Sequence, residues 1–217
     1  MSLALAIADR RSRRRRHASA AAGLTTSLLV LGLALSLPTD QAEVVAPPDV
    51  VSLARVPGGV AAVSQRHGPM LTADGRAAGF THDELGAAVA ASNLAPRVSS
   101  AAGPAVYEAT LMGQSWGDPA AMVARLRVEL PTSDSAATGQ ATTARSLYYR
   151  IIAGDPRSDY VVVSLLAGTE QARSAGGLAR VDLTLRWDDG DWRLRVPIPR
   201  PSLHPDTAGY VLLGELP

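Results

Sequence analysis

The sequence holds no cysteine, no lysine and a single phenylalanine, Phe80. Without cysteine there is no disulfide, no thiolate zinc site, no thiol nucleophile and no lipid-carrying cysteine. The missing lysine goes with an excess of alanine, arginine, glycine and valine. That bias looks like a genome rich in G and C and says little about the fold. Catalytic signatures are missing too: no residue is assigned a catalytic, cofactor-binding or metal-ligating role, so the expectation is a protein that is not an enzyme and carries no cofactor. A basic cluster is missing from the outer part. Residues 38–217 carry 15 arginines against 19 acids, whereas nucleic-acid binders gather positive charge on one face. No nucleic-acid partner is expected.

What is present begins with six arginines, Arg10, Arg11, Arg13, Arg14, Arg15 and Arg16, ahead of an uncharged run of 20 residues, Ala18 to Leu37. As a helix that run spans about 30 Å, the thickness of a bilayer's hydrocarbon core. The arginines hold their end inside and can lie against anionic headgroups. This predicts a basic cytoplasmic leader (1–17), a transmembrane helix or signal anchor (18–37), a proline-containing stalk (38–56) and an extracytoplasmic domain (57–217). The expected location is the cell membrane, single-pass, with the bilayer contacted through 18–37. The rival is secretion after cleavage behind Ser36, because Ala34 and Ser36 supply the small residues a signal peptidase reads.

Within the stalk, Val50 to Leu53 could instead pair as an edge strand; beyond it, Gly58 to Gly79 is glycine-punctuated and reads as irregular chain. His67 lies beside a turn signal and has no second ligand at metal spacing. Thr81 and Glu84 form a capping box with Phe80 and Leu85 as its staple, starting a helix that ends before Pro96. Capping explains His82-Asp83 better than a catalytic dyad does. Asp118-Pro119 marks a second helix start, and Thr132 to Ala144 reads as a polar loop.

The last third reads as sheet. Leu147–Ile152 and Tyr160–Leu166 are β-rich runs around the turn signal Asp155-Pro156. From Leu178 to Val196 apolar and polar residues alternate about Asp189-Gly190, a favoured type I′ pair. That register sets Trp187 opposite Trp192, Leu185 opposite Leu194 and Arg186 opposite Arg193. The acids Asp182, Asp188, Asp189 and Asp191 lack the spacing of a calcium loop and read as a solvated hairpin tip. His204 reads as an exposed loop residue, and Tyr210 to Leu213 as a tail that docks back on the domain.

Two capped helices followed by three to five antiparallel strands predict an α+β domain. Helices would pack on a curved antiparallel sheet, in the order of the nuclear-transport-factor-2-like cone. The segment GPMLTADGRAAGFTHDELGAAVAA, the hairpin Trp187 to Leu194 and Gly209-Tyr210-Val211 resemble an uncharacterised actinobacterial family. Its members pair a Gly-Phe-x-His-x-x-x-Gly-Ala helix start with a Trp-x-x-Gly-Asp-Trp hairpin. The resemblance implies a setting among integrative and conjugative elements. It also implies a domain that assembles with other membrane or envelope proteins, with self-association compatible. The alternative is a small-ligand-binding cone, anchored or released.

Overall fold

The computed structural model describes residues 49–128 and 143–217. The basic leader, the run 18–37, most of the stalk and nearly all of the polar loop lie outside the described residues. Within them, 44% of residues are in strands and 28% in helices. No helix among the described residues is long and apolar enough to cross a membrane.

Two hairpins come first: β1 (Val51–Val56) with β2 (Gly59–Ser64), and β3 (Leu71–Ala73) with β4 (Arg76–Ala78). Then follow α1 (Glu84–Arg97), α2 (Pro104–Gln114), β5 (Ser115–Gly117) and α3 (Pro119–Val128). The remaining chain supplies β6 (Ala144–Gly154), β7 (Tyr160–Thr169), β8 (Leu178–Asp188), β9 (Asp191–Val196), β10 (Ser202–His204) and β11 (Val211–Glu215). A short helix, Glu170–Ser174, is capped by the Thr169 hydroxyl between β7 and β8. The seven-stranded sheet runs β11-β6-β7-β8-β9-β5, and β10 pairs with β8. Its pairs are antiparallel except β5 with β9.

This arrangement corrects the expected α+β cone with a transmembrane helix in front. The described chain is predominantly β, four strands precede the first helix, and the large sheet contains a parallel pair. The transmembrane helix of that expectation falls on residues outside the described ones. The physical reason lies in β2, GVAAVS, whose small residues carry little strand propensity. Its support is tertiary. Ala61 and Ala62 are fully buried, the Ala62 amide donates to Ser92 Oγ at 3.0 Å, and Asn93 Nδ2 donates to the Ala62 carbonyl at 2.7 Å. The strand β1 also takes in Val51–Val56, which the sequence assigned to the stalk.

The core forms around α1. Ala87, Ala88, Val89, Ala90, Ala91 and Leu94 have no exposed surface, so the helix is enclosed on all sides rather than amphipathic. Small side chains let β2 and the large sheet both approach its backbone. The inner sheet face opposes it with Val161 and Val163 on β7, Leu183 and Leu185 on β8, and Trp192 and Leu194 on β9. The helix starts two residues later than a Thr81 cap would place it. Asp83 is the N-cap, accepting the Gly86 amide at 2.7 Å. Pro96 sits inside the last turn rather than beyond the end, where the lost donor deprives only one carbonyl. Asp118 caps α3 as expected, accepting the Ala121 amide at 2.9 Å.

The β8–β9 hairpin has the predicted register: Leu185 with Leu194, Arg186 with Arg193, Trp187 with Trp192, Asp188 with Asp191. Asp189 and Gly190 both have positive φ, 55° and 77°, as a type I′ turn requires. The facing arginines are relieved by acids beside them, with Arg186 Nη2 2.8 Å and Arg193 Nε 3.3 Å from Asp188 Oδ2.

Candidate functional site

The loop before α1 and the tip of the β8–β9 hairpin hold each other. One Asp191 oxygen accepts the Gly79 amide at 2.8 Å and the other the Phe80 amide at 3.2 Å. The Trp192 indole donates to the Thr81 carbonyl at 2.9 Å. The His82 ring stacks on Trp187, with centroids 4.2 Å apart and planes 1° from parallel. Ordered donors and acceptors around two tryptophans fix where α1 begins against the sheet.

Behind this clasp, His67 sits 8% exposed between two carboxylates. Its Nε2 lies 2.8 Å from Asp49 Oδ2, and its Nδ1 lies 3.0 Å from Asp83 Oδ1 and 2.9 Å from Thr81 Oγ1. Burial works to raise the Asp83 carboxyl. The Gly86 amide, the Thr81 hydroxyl and the facing His67 ring outweigh it and hold the group below its ordinary value. Both ring nitrogens of His67 are engaged by oxygen atoms of Asp49, Asp83 and Thr81, so the ring is a member of this cluster rather than open to a further ligand. Among the described residues no cluster of three or more His, Asp or Glu has metal-binding geometry. The cluster ties residue 49 and the β2 end to the start of α1.

The outward face of the sheet at β5, β7, β8 and β9 has a different character. Alternation along β9 turns Trp192 and Leu194 inward and Arg193 and Arg195 outward. The parallel pairing puts Trp116 beside Arg195. The guanidinium carbons of Arg186 and Arg195 lie 5.2 Å and 5.5 Å from the Trp116 ring centroid, within the range where a cation is drawn to an indole face. Tyr160, 49% exposed, meets Trp116 edge-on at 5.8 Å. Asp188 holds Arg186 in place. Arg195 is exposed and has no carboxylate partner among the described residues. The buried Trp116 Nε1 and Arg186 Nε have no hydrogen-bond partner.

A family model described as a domain of unknown function, DUF8175, matches residues 34–212. The chain belongs to that family. No curated protein and no solved structure matches it. The DUF8175 match takes in the whole clasp, the His67 cluster and the Arg–Trp face.

Several residues weighed in the sequence change meaning in this DUF8175 chain. His67 and Asp83, set aside separately, are brought into contact with each other and with Asp49, and His82 stacks instead of capping. Of the four hairpin acids, Asp191 is an amide acceptor at a part-buried junction. Asp182 accepts from Ser164 Oγ at 2.6 Å and pairs with Arg180 at 2.8 Å. Asp188 and Asp189 pair with arginines. His204 is half-buried and lies edge-on to Tyr210, 5.5 Å between centroids. Trp116 was missed. The outward set of β9 was legible by its alternation, but only the pairing of a three-residue strand with β9 reveals what lies beside it.

Proposed function

We propose that this chain is a non-enzymatic, membrane-attached assembly subunit whose outer domain docks an acidic surface of another envelope or conjugative-transfer protein through Trp116, Tyr160, Arg186 and Arg195. The reading rests on one observation: an outward-facing tryptophan flanked by two guanidinium groups, one of them without an acidic partner. Tryptophan, tyrosine and arginine are the side chains that dominate interface hot spots. A guanidinium already ordered on an indole loses less freedom when a carboxylate arrives. Attachment comes from residues 18–37 in this reading, with the leader cytoplasmic and the described domain outside.

The arginines are few and Arg186 is paired with Asp188, which favours a protein partner over the continuous positive track that nucleic acid requires. The test places a photoreactive benzoylphenylalanine at Tyr160 of the full-length chain in its native membranes. The expected result is one discrete adduct to a protein segment rich in Asp and Glu, lost with Arg195→Glu and kept with Arg76→Gln. An adduct indifferent to Arg195→Glu, no adduct, or saturable oligonucleotide binding that Arg195→Glu abolishes would overturn it.

A further inference from the structure

A cleft of about 320 Å³ opens between the β3–β4 hairpin, the end of α2 and the start of β9. That is near the lower bound, about 300 Å³, for small-molecule sites. Its apolar lining is Leu71, Ala73, Ala78 and Trp192. Its polar groups are Arg76, Arg193 and Gln114.

Arg76 is short of partners. Its nearest carboxylate is Asp74, 3.9 Å away and 86% exposed, and its buried Nε has no hydrogen bond. Gln114 Nε2 donates to the Ala77 carbonyl, while its Oε1 is buried without a donor. Arg193 is held in orientation by its other contacts, donating to the Gly113 carbonyl at 3.2 Å and pairing with Asp188 at 3.3 Å and Asp189 at 3.6 Å. Asp191 also borders the cleft, but its oxygens are occupied by the amides of Gly79, Phe80 and Trp192. With two arginines and one acid in its lining, the cleft stays net positive.

Two planar guanidinium groups match the geometry of a carboxylate. An acceptor lacking a donor calls for an N–H close to it, and the small apolar wall calls for an aliphatic side chain. We propose that this cleft binds an N-acylated aliphatic amino acid through its free α-carboxylate, whether as a free small molecule or as the C-terminus of a peptide. The arginines take the carboxylate, Gln114 takes the adjacent amide N–H, and Leu71, Ala73 and Ala78 pack on the side chain. The site adjoins the docking face at Asp188, which pairs with both Arg186 and Arg193, and its test uses the chain without any partner.

The test is calorimetric titration of the full-length chain in nanodiscs with N-acetyl-L-leucine, N-acetyl-L-leucinamide and the peptide acetyl-Ala-Ala-Ala-Leu bearing a free C-terminus. Saturable binding of at least one carboxylate is expected, with the amide at least tenfold weaker. Arg76→Gln should weaken binding tenfold or more, Arg76→Lys should restore part of it, and Arg195→Glu should leave it unchanged. Ala73→Trp, which fills the cleft from an exposed strand position, should abolish it. Equal affinity for acetyl-leucine and the peptide identifies a free small molecule as the ligand, and a tenfold preference for the peptide identifies a chain terminus. No saturable binding of either carboxylate, equal binding of the amide, or indifference to both Arg76→Gln and Ala73→Trp would overturn the proposal.

Discussion

The carboxylate of Asp191 receives the backbone amide of Gly79 at 2.8 Å, across 112 residues of sequence. With its second oxygen on the Phe80 amide, it fixes the chain leading into α1 against the hairpin tip. Removing it leaves both amides without an acceptor at a part-buried junction. Asp191→Ala should therefore cost about 2–3 kcal/mol, in the range for hydrogen bonds to a charged group with stranded partners. Asp191→Asn keeps one acceptor and should cost less. Urea unfolding followed by tryptophan fluorescence reads both, since Trp187 and Trp192 lie in the same clasp. Equal midpoints for wild type and Asp191→Ala would refute this.

Two glycines separate steric from conformational need. At Gly86, inside the first turn of α1, a Cβ would overlap the Thr81 carbonyl oxygen and crowd its hydroxyl. Gly86→Ala should destabilise by more than about 2 kcal/mol, although alanine is the better helix former. At Gly190 nothing stands within reach of a Cβ, but φ is +77°. Gly190→Ala should cost about 1–2 kcal/mol, the ordinary penalty of the left-handed region. Thermal unfolding of the pair should rank Gly86→Ala as clearly the worse.

Local signals made the hairpin and the helices α1 and α3 legible, while α2 read only as a short apolar segment. The alternation from Leu178 to Val196 and the Asp189-Gly190 turn carry their own register, because both strands and the turn are contiguous. Asp118-Pro119 likewise marks α3 without reference to anything distant. The start of α1 was legible only to within a few residues. Thr81 and Asp83 are both good caps, and the choice fell to Asp83 while Thr81 and His67 face each other. Of the early hairpins only the edge strand at Val50–Leu53 was legible, because alanine and glycine strands gain their stability from burial against α1 rather than from propensity. Neither were the meeting of His67 with Asp49 and Asp83 nor the seating of Trp116 beside Arg195. Both depend on which strands become neighbours, and the helices-first cone supplied the wrong neighbours.

Tyr149 lies on the inner face of β6 with its hydroxyl donating to Glu84 Oε1 at 3.3 Å. Burial, then the Glu84 charge and this hydrogen bond, push its phenol up to about 12 from 10.0. The folded value lies above the unfolded one. Its contribution to stability is therefore complete below pH 10 and lost as pH rises toward 12. Near-ultraviolet absorbance should show one tyrosine ionising well after the exposed ones. Glu84→Gln should bring that step down, and Tyr149→Phe should remove it. A titration unchanged by Tyr149→Phe would contradict the assignment.

At the acid end the signs reverse. The Asp83 carboxyl is held low against the raising effect of burial by the Gly86 amide, Thr81 and His67. Asp182 is held low, also against burial, by Arg180, Ser164 and the charge of Arg150. Both start from an ordinary value of 3.8, so the folded state binds their protons less tightly than the unfolded chain does. Their contribution is present above 3.8 and drains away as pH falls through the lower folded values. Unfolding free energy measured from neutral pH downward should thus fall most steeply below about pH 4. Asp83→Asn removes the titrating group and lets the amide oxygen still accept from Gly86. The variant should be less stable than wild type at pH 7 but lose less on acidification, so the two curves converge at low pH. Parallel curves would mean that the Asp83 carboxylate is no more acidic in the fold than outside it, and the cap would then act through shape alone.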